Sequence, residues 1–319
     1  MSARIAIILI SLHYIKHLKN IDICDILSLV KKIGIIGLGL IGGSLARDIK
    51  VRVKGAQIFG YDCCKKTVEA AEKSGLFEVV CVIPREMVSS ASPSRNDGWQ
   101  GLDLIIVAVS VGTTAETIRA VYNAVGNRCI ITDVCSVKGH LTELDGLTGI
   151  RLVGGHPMAG TEQSGFDAGR TGLFDGAAYI VTPYPNTTKS DLNAVIKFAE
   201  TIGAKPVIME AEEHDTLVGR ASHLPHMIAY ALSDYVIREN EPYVAGKGFA
   251  DMIRIASSSP KFWTEVAEAN RVNIIREIDG MMLRLAGIKD MAERGEWEDM
   301  ERMFERGKEK RNKITKETR

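Results

Sequence analysis

The stretch Lys31–Lys50, KKIGIIGLGLIGGSLARDIK, changes character twice. Ile33–Ile36 is a short apolar run of the kind a buried strand needs. Glycines then recur as G-x-G-x-x-G at Gly37, Gly39 and Gly42, and the text from Gly43 onward suits a helix. Gly37 permits a tight turn, Gly39 lets a pyrophosphate approach the backbone, and Gly42 lets helix and strand pack closely. The helix start, at Leu40 and Ile41, offers N–H groups to the phosphate. Alone the motif is weak, because glycine-rich strand ends also arise for structural reasons.

Its context strengthens it. AQIFGYD is a second strand, and it ends in Asp62, where an acid can hydrogen-bond ribose hydroxyls. A carboxylate there repels a 2′-phosphate, so NAD is expected over NADP, although Cys63, Cys64, Lys65 and Lys66 soften that preference. The plainer alternative makes Asp62 the cap of the helix KKTVEAAEKSG. Strand and helix continue to alternate through LDLIIVAVSV, TTAETIRAVYNAV and RCIITDVCSV, which predicts a parallel, doubly wound sheet. Ligands of such sheets bind at the carboxyl ends of the strands, where Ser110, Ser136 and Lys138 fall. The segment VIPREMVSSASPSRNDGWQG reads as a surface loop.

Bulk properties narrow the function classes. The chain has 319 residues, 45% hydrophobic and 25% charged with zero net charge, which suits a globular protein of about two domains. The charge balance leaves no footprint for nucleic acid or an anionic membrane. Six cysteines show neither a disulfide framework nor paired metal-ligand spacing, so no metal is expected and reduced cytoplasmic thiols are. Residues 1–30 are expected to be an N-terminal extension, helical or disordered, without the cleavage site of a secretory signal.

RLVGGHPMAGTEQSG, Arg151–Gly165, places His156 at the end of another strand, on the ligand side of the sheet. An imidazole titrates near neutral pH, so His156 is a candidate general base. A loop histidine that only satisfies backbone groups is the alternative. The surrounding Gly154, Gly155, Gly160 and Gly165 read as room for a ring-shaped substrate.

Together, the glycine turn with Asp62, DVCSVK, GGHPMAGTEQSG, AEEHD, SHLPHMIAYAL and RIASSSPKFW resemble the prephenate/arogenate dehydrogenase family, in order, over roughly residues 32–300. The resemblance implies a Rossmann-type α/β nucleotide-binding domain, residues 31–210, followed by an all-α dimerisation and substrate domain, residues 211–319. It implies NAD-dependent oxidative decarboxylation of prephenate, or of the amino analogue arogenate, in a cytoplasmic homodimer of tyrosine biosynthesis. Any inhibition by tyrosine would be competitive. The resemblance points to His156 and Ser136 as catalytic, and to a substrate site holding Thr161, Glu162, His214, His226, Asp251, Arg254 and Trp263 between the two domains. Ser110 and Ser136 join the glycine turn and Asp62 on the cofactor. Arg254 suits a dicarboxylate, since a guanidinium can hold a carboxylate in a bidentate pair. His223 and His226 lack a third ligand at recognisable spacing for a metal. One departure is Ser110, where the family often has proline. A β-hydroxyacid dehydrogenase and a non-catalytic NAD sensor remain the alternatives; neither needs the H-P-M-A-G-T-E block.

Overall fold

The computed structural model describes residues 30–82, 99, 101–236 and 246–317. The N-terminal extension and nearly all of the expected surface loop before Leu102 lie outside the described residues. Residues 237–245 also lie outside the described residues.

Two compact units divide the chain: residues 1–214 with 258–265, and residues 215–257 with 266–319. The expected boundary at 210/211 lies four residues before the first unit's long segment ends at His214, and Ser258–Glu265 groups with that unit. There the Glu265 carboxylate accepts from Gly112 N at 3.2 Å.

Among the described residues the first unit holds one eight-stranded sheet, ordered β3-β2-β1-β4-β5-β6-β7-β8. The strands are β1 (Lys32–Ile36), β2 (Gln57–Asp62), β3 (Val79–Val82), β4 (Leu104–Val107), β5 (Ile130–Asp133), β6 (Leu152–Pro157), β7 (Ala178–Pro183) and β8 (Lys205–Ile208). Helices α1 (Leu40–Arg52), α2 (Lys65–Lys73), α3 (Val111–Val125) and α4 (Lys189–Thr201) provide crossovers, with a 3₁₀ segment at Gly139–Gly146. Side chains alternate between the two faces. Leu104 and Ile106 join Leu45, Ile49 and Phe198 in one core, while Ile105 and Val107 join Ile118 and Val121 in the other.

The sheet is not parallel throughout, because β7 runs antiparallel to β6. The connection between them, residues 158–177, contains no helix. A parallel return needs a long crossover, usually a helix, so the chain comes back in the opposite sense. This connection is tied to α1. Asp48 Oδ1 accepts from Gly172 N at 2.8 Å, Ser44 Oγ accepts from Arg170 N at 3.1 Å, and the Arg47 guanidinium lies 4.5 Å from the Phe166 ring centre.

The second unit begins within α5 (Ala211–Val218), which passes through a π-helical turn, Gly219–His223, into α6 (Leu224–Val236). Pro225 lacks an N–H and crowds the carbonyl four residues before it, so a widened turn at this point relieves the ladder. Then come α7 (Lys247–Ile253), a 3₁₀ turn Arg254–Ser257, α8 (Pro260–Ala269), α9 (Arg271–Arg294) and α10 (Trp297–Glu317). Asn270 ties the unit together: its side-chain amide donates to Asp215 O at 2.8 Å and lies 3.1 Å from His223 Nδ1. His223 is therefore a core histidine, only 1% exposed.

The glycine turn shows why each glycine is there. Gly37 has φ +90° and would press a Cβ onto the Ala108 carbonyl, a Cβ on Gly42 would strike the Gly37 carbonyl, and nothing lies within 4 Å of one on Gly39. Gly42→Ala is expected to cost about 1–3 kcal/mol, as overpacking typically does, and to lower the thermal midpoint by several degrees. Calorimetry checks this, and an unchanged midpoint would mean the turn opens without strain.

Candidate active site

The carboxyl ends of β1, β2, β4, β5 and β6 bring most of the expected residues to one edge of the sheet. Gly37, Gly39, Leu40, Ile41 and Gly42 form the turn after β1 and the first turn of α1. Asp62, the last residue of β2, accepts from Leu38 N with Oδ2 and from Cys64 N with Oδ1, both at 2.8 Å. A carboxylate has about four acceptor sites, so it can hold the turn and still receive a hydroxyl. An open backbone at Gly39, a bare helix start and an acid across the turn together fit a dinucleotide. Ser110 is the N-cap of α3, with its Oγ 3.1 Å from Thr113 Oγ1. Ser136 lies in the bend after β5, partly exposed.

His156 lies inside β6, paired with Ile180 of β7 and 8% exposed, rather than in a flexible loop. Its Nδ1 is 2.8 Å from Nε2 of His214, and the rings meet edge to face at 69°. Nδ1 of His156 is thereby committed to His214. His214 itself is 0% exposed. His214 therefore offers no exposed surface to the substrate expected there and meets the His156 ring instead.

Two further expectations change. Gly154 and Gly155 do not make room for a substrate. A Cβ on Gly154 would lie 3.0 Å from Thr182 and 3.1 Å from Lys138, and one on Gly155 would collide with the Asp133 carbonyl and the Tyr179 hydroxyl. These glycines let β6 settle onto its neighbours. Gly160 is open, and Gly165 adopts φ +92°. Lys138 is no ligand-facing group either: it is fully buried and paired with Asp133.

Thr161 and Glu162 lie exposed on the connection after β6, where Thr161 Oγ1 accepts from Gln163 N at 3.3 Å. Trp263, 8% exposed, packs edge to face on Phe262 in the first unit, so a substrate could reach only its rim. In the helical unit Arg254 opens the 3₁₀ turn, exposed, three residues after the exposed Asp251. That turn packs on α6, which carries the half-buried His226. His226 Nδ1 meets the Ser222 carbonyl at 2.9 Å, and burial lowers its pKa, so the ring is neutral at neutral pH.

Residues 45–208 match the family described as "Prephenate dehydrogenase, nucleotide-binding domain", and residues 210–306 match "Prephenate dehydrogenase, dimerization domain". The chain belongs to the prephenate dehydrogenase family. Prephenate dehydrogenase of Lactococcus lactis is 33% identical over 88% of this chain and 76% of its own length. Among solved structures, prephenate dehydrogenase of Aquifex aeolicus in complex with hydroxyphenyl propionate and NAD+ is 30% identical, with a TM-score of 0.80. That match covers 89% of this chain and 98% of the other. Arogenate dehydrogenase of Synechocystis follows at 26% identity and TM-score 0.73, covering 89% and 99%. The family match excludes the β-hydroxyacid reading.

The thiols of the first unit differ sharply. Burial pushes Cys129 and Cys135 up to about 11, whereas the Thr67 backbone and hydroxyl hold exposed Cys64 below the usual thiol value. Iodoacetamide at neutral pH should therefore label Cys64 first and spare Cys129 and Cys135 until the protein unfolds. Peptide mapping of the native protein reads this, and early labelling of Cys135 would contradict the burial described.

Proposed function

We propose that the chain oxidises prephenate to 4-hydroxyphenylpyruvate and CO₂ with NAD⁺. The observation that carries the reading is a buried imidazole, His156, held by a second imidazole at the same sheet edge as the glycine turn and Asp62. Bound NAD⁺ supplies the hydride acceptor for the hydrogen on ring C4.

His156 Nε2 takes the proton of the C4 hydroxyl as that carbon becomes a carbonyl. For Nε2 to be bare, Nδ1 must carry the hydrogen and donate it to His214 Nε2, which fixes the tautomers of both rings. This is the role an orienting partner plays behind any general-base histidine. Loss of the ring carboxylate as CO₂ pushes electrons toward the new carbonyl, and the ring becomes aromatic. The phenolate oxygen then recovers the proton from His156. Ser136 donates to the same oxygen and keeps the hydroxyl facing the base. Arg254 anchors a carboxylate through its guanidinium, and neutral His226 offers a hydrogen-bonding ring beside it. Thr161 and Glu162 shape the approach.

A homodimer accompanies this reading. Val272, Leu283 and Trp297 of the helical unit are each more than 60% exposed in the single chain. Apolar surface of this kind marks an interaction face, and the matched family description names a dimerization domain.

NADH formation with prephenate, and separately with arogenate, tests the reading; no turnover with either would end it. His156→Asn should lower kcat by about 100-fold or more, the scale of a lost general base, with KM little changed. His214→Leu should lower kcat by a smaller factor, and Arg254→Gln should chiefly raise KM for the carboxylate substrate. Near-normal turnover in His156→Asn would remove it as the base.

A further inference from the structure

β5 and β6 pair at only two positions, Ile131 with Leu152 and Thr132 with Val153. Beyond them the chains part. β5 ends at Asp133 and its continuation carries Ser136, while β6 runs on along β7 to His156. The Asp133 side chain fills the fork. Its Oδ2 accepts from Cys135 N at 2.8 Å, and its Oδ1 accepts from Gly155 N at 3.2 Å. One carboxylate thus grips the peptide N–H just before Ser136 and the peptide N–H just before His156. Lys138, from the same loop, neutralises it, and neither side chain has exposed surface.

The surroundings leave the fork little slack. Gly155 has no Cβ, and one placed there would meet both Asp133 and Tyr179. Tyr179 pairs across β7 with Pro157 and is fully buried. A buried ion pair is weak evidence for stability, because an apolar pair of similar volume often serves as well. What an apolar pair cannot do is hold two diverging backbones by their N–H groups.

We propose that Asp133 is a positioning residue: its carboxylate sets the spacing of Ser136 and His156 without touching substrate or cofactor. The inference rests on the catalytic reading of those two residues.

Two variants test it. Asp133→Glu keeps the charge and the pairing with Lys138 but adds one methylene, which displaces the carboxylate. Asp133→Asn combined with Lys138→Met removes both charges together, so no ion is left buried alone, and leaves one acceptor oxygen where two served. Both are assayed for kcat with prephenate, KM for NAD⁺ and thermal midpoint, beside His156→Asn as the reference. A misplacement of about 1 Å can cost 10²-fold in rate, so a fall in kcat of about tenfold or more is expected in each. KM for NAD⁺ should stay within about twofold, and the acid limb of the pH–rate profile should keep its position, since the base is unchanged. Wild-type kcat in the double variant, with only the thermal midpoint lowered, would overturn the proposal and leave the catalytic reading intact. Retained turnover in His156→Asn would overturn both. Should the double variant fail to fold, Asp133→Glu decides: normal kcat in the folded variant counts against the proposal.

Discussion

A buried imidazole has few choices, and the account of this protein turns on the ones left to His156. One ring nitrogen is 2.8 Å from His214, which is itself sealed from solvent. The pair must share a hydrogen, so the protonation of one ring dictates that of the other. An isolated surface histidine would sample both tautomers and many orientations. Here a strand fixes the backbone and a second histidine engages Nδ1 of the ring.

The sheet makes that constraint useful. Parallel strands end together at one edge, so residues far apart in sequence arrive at one place. Gly37, Asp62, Ser110, Ser136 and His156 all arrive in this way. The reversal at β7 serves the same end: β7 pairs with β6 from Val153 to Pro157, beyond the point where β5 parts from it, and the strand bearing His156 is buried at every residue. The connection from β6 to β7 is fastened to α1 by Asp48, Ser44 and Arg47, so the segment with Thr161 and Glu162 shares a foundation with the glycine turn.

Much of this was legible in the chain itself. Local signals carried it: an apolar run, three glycines at fixed spacing and an acid at a strand end gave β1, α1 and β2, and alternation gave the following strands. What local signals cannot encode is contact between distant residues. His156 and His214 lie 58 positions apart, so the sequence could suggest both but could not pair them. In sequence Gly154 and Gly155 read as open space, whereas their neighbours Thr182, Tyr179 and Lys138 come from other segments and fill it. The direction of β7 escaped because it depends on a connection without a helix. β3, Val79–Val82, escaped because it is short and sits on the sheet's edge. Asp133 and Lys138 stood in plain view in DVCSVK, but nothing in the spacing said that the lysine turns inward.

Nitrogen NMR of the histidine-labelled protein directly observes which ring nitrogen of His156 carries the hydrogen. At neutral pH the account predicts that His156 carries its hydrogen on Nδ1 and has a bare Nε2, with the Nδ1 hydrogen shared with His214. A neutral His156 protonated on Nε2 would contradict it, because that ring could not accept a proton from the substrate.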